Sequence, residues 1–180
     1  MMKRLGNLAA GAAVMVFGLV GAGCSSGTPK AAVPDAMPED FGVAVVVYSP
    51  ELDATIVGGM PRAMRPARYI VEPERTLRAA VGAGADVETF PPATRQLDEG
   101  QVEALWRVVK QGGFAREDHP REVPNEMAYQ AGFGRPVALI TVTHSRRRQT
   151  AAIPLDAGDA DAQAALLLVD QLAEWAWVRR

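Results

Sequence analysis

From residue 41 to residue 48 every position is apolar or small. Phe41, Val43, Val45 and Val47 fall on one face of an extended chain, and Ala44, Val46 and Tyr48 on the other. A strand that is apolar on both faces belongs in the middle of a sheet, where both sides are covered. Residues 69–71 and 76–81 predict two further strands joined by a turn at Pro73-Glu74. Gly82 and Gly84 break the second, and residues 87–90 predict a short strand stopped by Pro91-Pro92. Between the first two strands, Pro50, Gly58-Gly59, Pro61 and Pro66 predict a loop over 49–67, with Arg62, Arg65 and Arg68 giving its end a basic character.

The pattern then changes period. Asp98 and Gln101 have the spacing of a capping box, and Leu97 and Val102 that of a hydrophobic staple. Val102, Leu105, Trp106 and Val109 share one helical face, and Gly112-Gly113 ends the run. A helix over 99–111 is predicted, packed on the sheet through Leu105 and Trp106. Residues 112–136 carry Pro120, Pro124, Gly132, Gly134 and Pro136 and predict a long irregular segment, of a length that often serves function. Alternation over 137–143 and 149–155, with a turn at 144–147, predicts a β-hairpin. Asp159 and Asp161 introduce a second helix to about residue 178, with Leu168, Val169, Leu172, Trp175 and Ala176 as its apolar stripe. Trp177 lies beside that stripe and is expected to face outward, and Arg179 and Arg180 suit the helix C-terminus.

The order strands, helix, hairpin, helix, with short, hairpin-like connections between strands, predicts one α+β domain over residues 41–180: a mostly antiparallel sheet with two helices packed on one face. The outline from Leu97-Asp98-Glu99-Gly100-Gln101 through Gly113-Phe114, then hairpin and closing helix, loosely resembles emfourin-type domains over about residues 95–178. That resemblance implies inhibition of a metalloprotease. No inhibitory motif matches, so no residue role is carried across.

Ahead of the domain stand Lys3-Arg4, an apolar run from Leu8 to Val20, and Gly21-Ala22-Gly23-Cys24. Charge, a short apolar stretch and small residues are the parts of an export signal. The run is shorter than the ~20 residues that span a bilayer, and no basic stop-transfer cluster follows it. Cys24 directly after small residues resembles the lipobox of bacterial lipoproteins. The resemblance covers residues 1–24. It implies a diacylglyceryl thioether on Cys24, cleavage that removes the signal peptide 1–23, and acylation of the new amino group, with palmitate-type chains as the only covalent cofactor. Gly21 stands where that family usually has Leu, and cleavage after Ala22 by the ordinary signal peptidase is the alternative. Several acyl chains make a stable membrane anchor where one is marginal. Ser25, in place of an Asp that would favour inner-membrane retention, leans toward the outer membrane in a cell that has one. Residues 24–40, with Pro29, Pro34 and Pro38 and no apolar period, then read as the lipidated Cys and a flexible linker.

Charge narrows the partners. Without Lys3 and Arg4 the chain has 17 basic and 21 acidic residues, against the basic excess of a nucleic-acid binder. The single cysteine cannot form an internal disulfide, so the core alone must hold the fold.

Candidate chemistry is sparse. The histidines are His119 and His144, with no H-E-x-x-H or C-x-x-C spacing for zinc. Glu117-Asp118-His119 reads as a solvated loop, and His144 as an exposed turn residue. No G-x-S-x-G elbow or phosphate loop is present, and Asp156, Asp159 and Asp161 read as helix-capping and solubilising acids rather than a calcium loop. No catalytic residue and no metal ligand is therefore assigned. Arg146, Arg147 and Arg148 form the sharpest basic cluster, a possible contact surface for the membrane, an envelope protein or an anionic polymer. The leading expectation is a lipid-anchored, non-enzymatic binding or accessory domain of the cell envelope, contacting partners through the 112–136 segment and the hairpin tip. An envelope protease inhibitor and an unrecognised hydrolase are the alternatives.

Overall fold

The computed structural model describes residues 32–49, 60–82, 84–129 and 135–176. Residues 1–23, read above as a signal peptide, Cys24, residues 25–31, Pro50, Gly58-Gly59, Gly132, Gly134, Trp177, Arg179 and Arg180 lie outside the described residues.

Seven strands form one antiparallel sheet: β1 (Gly42–Tyr48), β2 (Ala67–Val71), β3 (Thr76–Val81), β4 (Ala93–Gln96), β5 (Glu122–Val123), β6 (Val137–His144) and β7 (Arg147–Pro154). Their order is β4-β3-β2-β1-β6-β7-β5. The strand that is apolar on both faces thus lies at the centre, as its pattern requires. Two helices, α1 (Glu99–Gln111) and α2 (Ala160–Ala176), complete the α+β fold.

Register sorts the faces. Val43, Val45 and Val47 pair with Val71, Tyr69 and Ala67 on one side and with Val142, Ile140 and Ala138 on the other. Together with Phe41, Leu77, Ala151 and Ile153 these side chains form a continuous buried face. Val102, Leu105, Trp106 and Val109 of α1 and Ala165, Leu168, Val169 and Leu172 of α2 belong to the same core. Both helices therefore cover one face of the sheet, the side on which β1 places its odd-numbered residues. Burying a Leu, Val or Phe side chain contributes roughly 1.5–3 kcal/mol, and this cluster is where the fold gains most of its stability.

The helix boundaries follow from local chemistry. Asp98 accepts the Gln101 N–H at 2.8 Å, and the Gln101 side chain accepts the Asp98 N–H at 3.0 Å, a complete capping box. At the other end the Gly113 N–H donates to Lys110 O and the Phe114 N–H to Val109 O, the two bonds of a Schellman motif, with Gly113 at φ 70°. The Phe114 ring then occupies the space that a Cβ on Gly112 would need. In α2, Asp159 accepts the Ala162 N–H at 2.9 Å, the capping role its sequence position suggested.

Three features depart from the sequence reading. Residues 87–90 are not a strand: the Asp86 carboxylate accepts the Glu88 and Thr89 N–H groups, both at 3.0 Å, and folds them into a turn. The strand begins after Pro91-Pro92 instead, as the sheet edge β4. The linker also ends early. Val33 and Met37 pack against the core, and Lys110 Nζ lies 2.9 Å from Asp35 Oδ1, so the chain joins the domain before residue 41. His144 is only 4% exposed rather than a free turn residue.

The reason for the last is the tightness of the hairpin. His144 and Arg147 form the final ladder pair, leaving Ser145 and Arg146 as a two-residue loop at φ 50° and 62°. Two consecutive positive φ values make a type I′ turn, which normally uses Asn and Gly. Here Asp40 supports the strained pair. Its Oδ1 accepts the Ser145 N–H at 2.7 Å and its Oδ2 the Arg146 N–H at 2.5 Å. The bond from Arg146, with that from Ser145 adding to it, holds the Asp40 carboxyl below its ordinary range.

Replacing Ser145-Arg146 by Asn-Gly is expected to stabilise the domain by about 1 kcal/mol, read as a raised Tm. Asp40→Asn is expected to lower Tm at pH 7, and by less in the Asn-Gly background. Since folding favours the Asp40 carboxylate, its contribution is complete above about pH 4 and is lost as pH falls through the lower folded value. The Tm gap between wild type and Asp40→Asn should therefore close on acidification. A gap that persists at low pH would remove the carboxylate clamp from the account.

Candidate functional site

The face of the sheet opposite the helices carries Arg68, Ile70, Ala44, Val46, Leu139, Thr141, Arg148 and Thr150, by the same register. Val46 and Leu139 are each 1% exposed, so this face is covered in part although neither described helix lies on it. The cover comes from loops. Tyr129 stacks at a tilt on Tyr48, with ring centroids 6.3 Å apart, and Val87, Pro124, Asn125, Glu126 and Met127 border a cleft floored by Arg68, Arg148 and Thr150. The cleft encloses about 400 Å³, within the size range of small-molecule sites.

Glu126 is the pivot. It is 6% exposed and lies in a short 3-10 turn, Glu126–Ala128. Its Oε1 accepts from Arg148 Nη2 at 2.8 Å and its Oε2 from Arg68 Nη2 at 3.5 Å. Arg68 is itself buried. Its Nη1 donates to Asp86 O at 2.8 Å, and its buried Nε has no partner among the described residues. The Glu126 carboxylate thus ties β2 and β7 to residues 126–128, and Arg68 extends the link to Asp86. The charge-assisted bond to Arg148 is short, and that to Arg68 is long but desolvated.

The three arginines predicted as one contact surface are divided by the pleat and the turn. Arg148 joins the cleft, its side chain 65% exposed. Arg147 projects to the helix side and pairs with Glu117. Arg146 is exposed at the hairpin tip, where its N–H is held by Asp40. Both surfaces anticipated from the sequence do meet, since Arg148 and residues 124–127 line the same cleft. Arg68 and Glu126 were missed as site residues. Arg68 was noted only for loop basicity, and Glu126 stands in a Pro-rich stretch with no local sign of burial.

The histidines are also placed differently from expectation. His119 is 7% exposed rather than solvated, 5.7 Å centroid to centroid from Phe114. Its Nδ1 accepts the Arg121 N–H at 3.2 Å, and its Nε2 is 3.9 Å from Asp161. Burial lowers its pKa from the ordinary histidine value, opposed by Asp161. Arg121 Nη2 lies 2.5 Å from Asp159, so His119 and Arg121 together dock the 112–136 segment on the start of α2. His144 Nε2 is 3.0 Å from Ala115 O, and its ring lies 5.5 Å from that of Trp106. His119 and His144 thus both engage the start of the segment, at Phe114 and at Ala115. Among the described residues no group of three His, Cys, Asp or Glu side chains could hold a metal ion. No described helix is long and apolar enough to cross a membrane.

No family model, curated protein or solved structure matches this chain.

Removing one member of the buried Arg68–Glu126 pair should destabilise more than replacing both. Glu126→Gln leaves Arg68 without its counter-charge and is expected to cost about 2–3 kcal/mol in denaturant unfolding. The double variant Arg68→Met/Glu126→Leu replaces the pair by apolar groups and is expected to recover most of that loss. Equal losses in the single and double variants would mean that Glu126 matters for shape alone.

Proposed function

We propose that the protein is a lipid-anchored component of the bacterial cell envelope whose domain is a non-catalytic binding module, with its contact surface at the Arg68–Glu126–Arg148 cleft. The single observation that carries the binding reading is the convergence of the 124–127 stretch and Arg148 on one cleft of about 400 Å³, organised by a buried carboxylate. Lys3-Arg4, the apolar run and Gly21-Ala22-Gly23-Cys24 support the anchor. Acyl chains on Cys24 hold the protein to a membrane, the outer one where two exist. The partner is an envelope protein or an anionic polymer within reach of that membrane, approached through a face that presents Arg148 beside exposed Met127.

Both parts are open to test in the producing cell. Metabolic labelling with a palmitate analogue is expected to mark the protein, and Cys24→Ser to abolish the label and release the chain from the membrane fraction. Retention without label would overturn the anchor. A photo-crosslinking residue at Met127 is expected to give adducts in the envelope. The same residue at Leu167, also apolar and exposed but on α2, is expected to give few. Equal yields at the two positions would overturn the cleft as the contact surface.

A further inference from the structure

The cleft has a chemical bias that narrows what it takes. Its lining residues include two guanidinium groups, Arg68 and Arg148, and one carboxylate, Glu126. The Asp86 carboxylate is turned into its own loop, where it accepts the Glu88 and Thr89 N–H groups. Among its lining residues, with Asp86 acting on Arg68 from outside them, the cleft thus carries one excess positive charge. It is carried at the accessible end, because Arg148 uses Nη2 on Glu126 while its side chain stays 65% exposed. An arginine has five N–H donors in a planar fork suited to a carboxylate. Deeper in, Arg68 keeps a buried Nε without a partner among the described residues, a state that is rare for a buried donor.

The rest of the lining is apolar or neutral. Val87, Pro124 and Met127 are the apolar lining residues, and Met127 is 65% exposed. A large exposed methionine beside an unbalanced arginine fits a ligand with an aliphatic body and a charged end. A single negative charge balances the charged groups that line the cleft. A dianion such as phosphate would leave a surplus negative charge beside Glu126 and a wall of unused apolar surface.

From these observations we infer that the cleft binds a monocarboxylate carrying a short aliphatic group, with Arg148 holding the carboxylate and Met127, Val87 and Pro124 packing the aliphatic part. The inference rests on the binding reading above and supplies its chemistry. A free short-chain acid and the C-terminal residue of a polypeptide share that chemistry.

The full-length chain in a non-ionic detergent would be titrated with hexanoate, as the free acid, and with N-acetyl-leucine, as the chain terminus. 1-Hexanol, N-acetyl-leucinamide and inorganic phosphate serve as controls, and the amide resonances of Val87 and Thr150 report. Saturable shifts with at least one of the two acids, and none with its uncharged counterpart or with phosphate, are expected. The stronger acid identifies the source of the carboxylate. Arg148→Gln should weaken binding about tenfold or more. Met127→Asp, at an exposed position that the fold does not need, should abolish it. Arg146→Gln, outside the cleft, should leave it unchanged. Equal binding of an acid and its neutral analogue would overturn the carboxylate, and phosphate binding as well as either acid would overturn the aliphatic part. No saturable shift with either acid, or full binding by Arg148→Gln, would overturn the whole inference. None of these results would by itself touch the Cys24 anchor or the crosslinking at Met127, so failure here is distinguishable from failure of the binding reading.

Discussion

A central strand that is apolar on both faces imposes a condition on everything around it. In this sheet β1 carries Val43, Val45 and Val47 toward the helices and Val46 away from them, and all four are buried. Two helices satisfy the first face. The second has to be covered by chain that is neither helix nor strand of any length, and irregular backbone over a sheet is costly unless its polar groups find partners. Glu126 supplies one. Its carboxylate bonds upward from the sheet's own arginines, Arg68 on β2 and Arg148 on β7, so the cover is fixed by charge where it lacks the periodicity to be fixed by packing. Residues 124–127 border the cleft, and Arg68, Arg148 and Thr150 form its floor.

The same logic accounts for what the sequence disclosed and what it did not. Elements with a local signature were legible to the residue. The capping box at Asp98 and Gln101 and the glycine pair after Gln111 bound α1 as predicted, because hydrogen bonds within a few residues decide both ends. The double-faced apolarity of β1 placed it centrally, since only a two-sided cover satisfies it. The edge strand was misplaced by six residues for the opposite reason. Ala93–Gln96 has one partner strand and is mostly exposed, so it carries no alternation, whereas Val87 and Phe90 mimic a strand and are bent by Asp86 into a turn. The two histidines read as solvated because their neighbours are polar. His144 is drawn into the ladder by a turn two residues long, and His119 is drawn under Phe114 by the docking of its segment on α2.

The site was legible by half. Two surfaces were visible as a basic triplet and a Pro-rich stretch, each recognisable from composition. That they meet, and through which residues, depends on pairings far apart in sequence: Arg68 with Glu126, and Arg148 with Glu126. A run of three arginines suggests a diffuse positive patch, yet strand pleat sends Arg147 and Arg148 to opposite faces, where Arg147 pairs with Glu117 and Arg148 shares Glu126 with Arg68. Pairing of this kind weakens unspecific attraction to anionic surfaces, which depends on unbalanced charge. What remains is local and directional, one arginine fork at a defined cleft.

Asp40 extends the argument to the beginning of the domain. It belongs to the segment that leads in from the proposed anchor, and it holds the Ser145-Arg146 turn from which β7 starts. The turn sets the register of β7, and β7 register decides which face Arg148 occupies, since a slip of one residue would send it to the helix side. Val33 and Met37 on the core and the Asp35–Lys110 contact bring that entering chain against the domain before Asp40 is reached. The lead-in segment is therefore part of what orients the cleft's arginine. An anchor at Cys24 would leave only residues 25–32 as spacer, which at about 3.3–3.6 Å per residue spans less than ~30 Å. A domain held that close works within the layer next to its membrane.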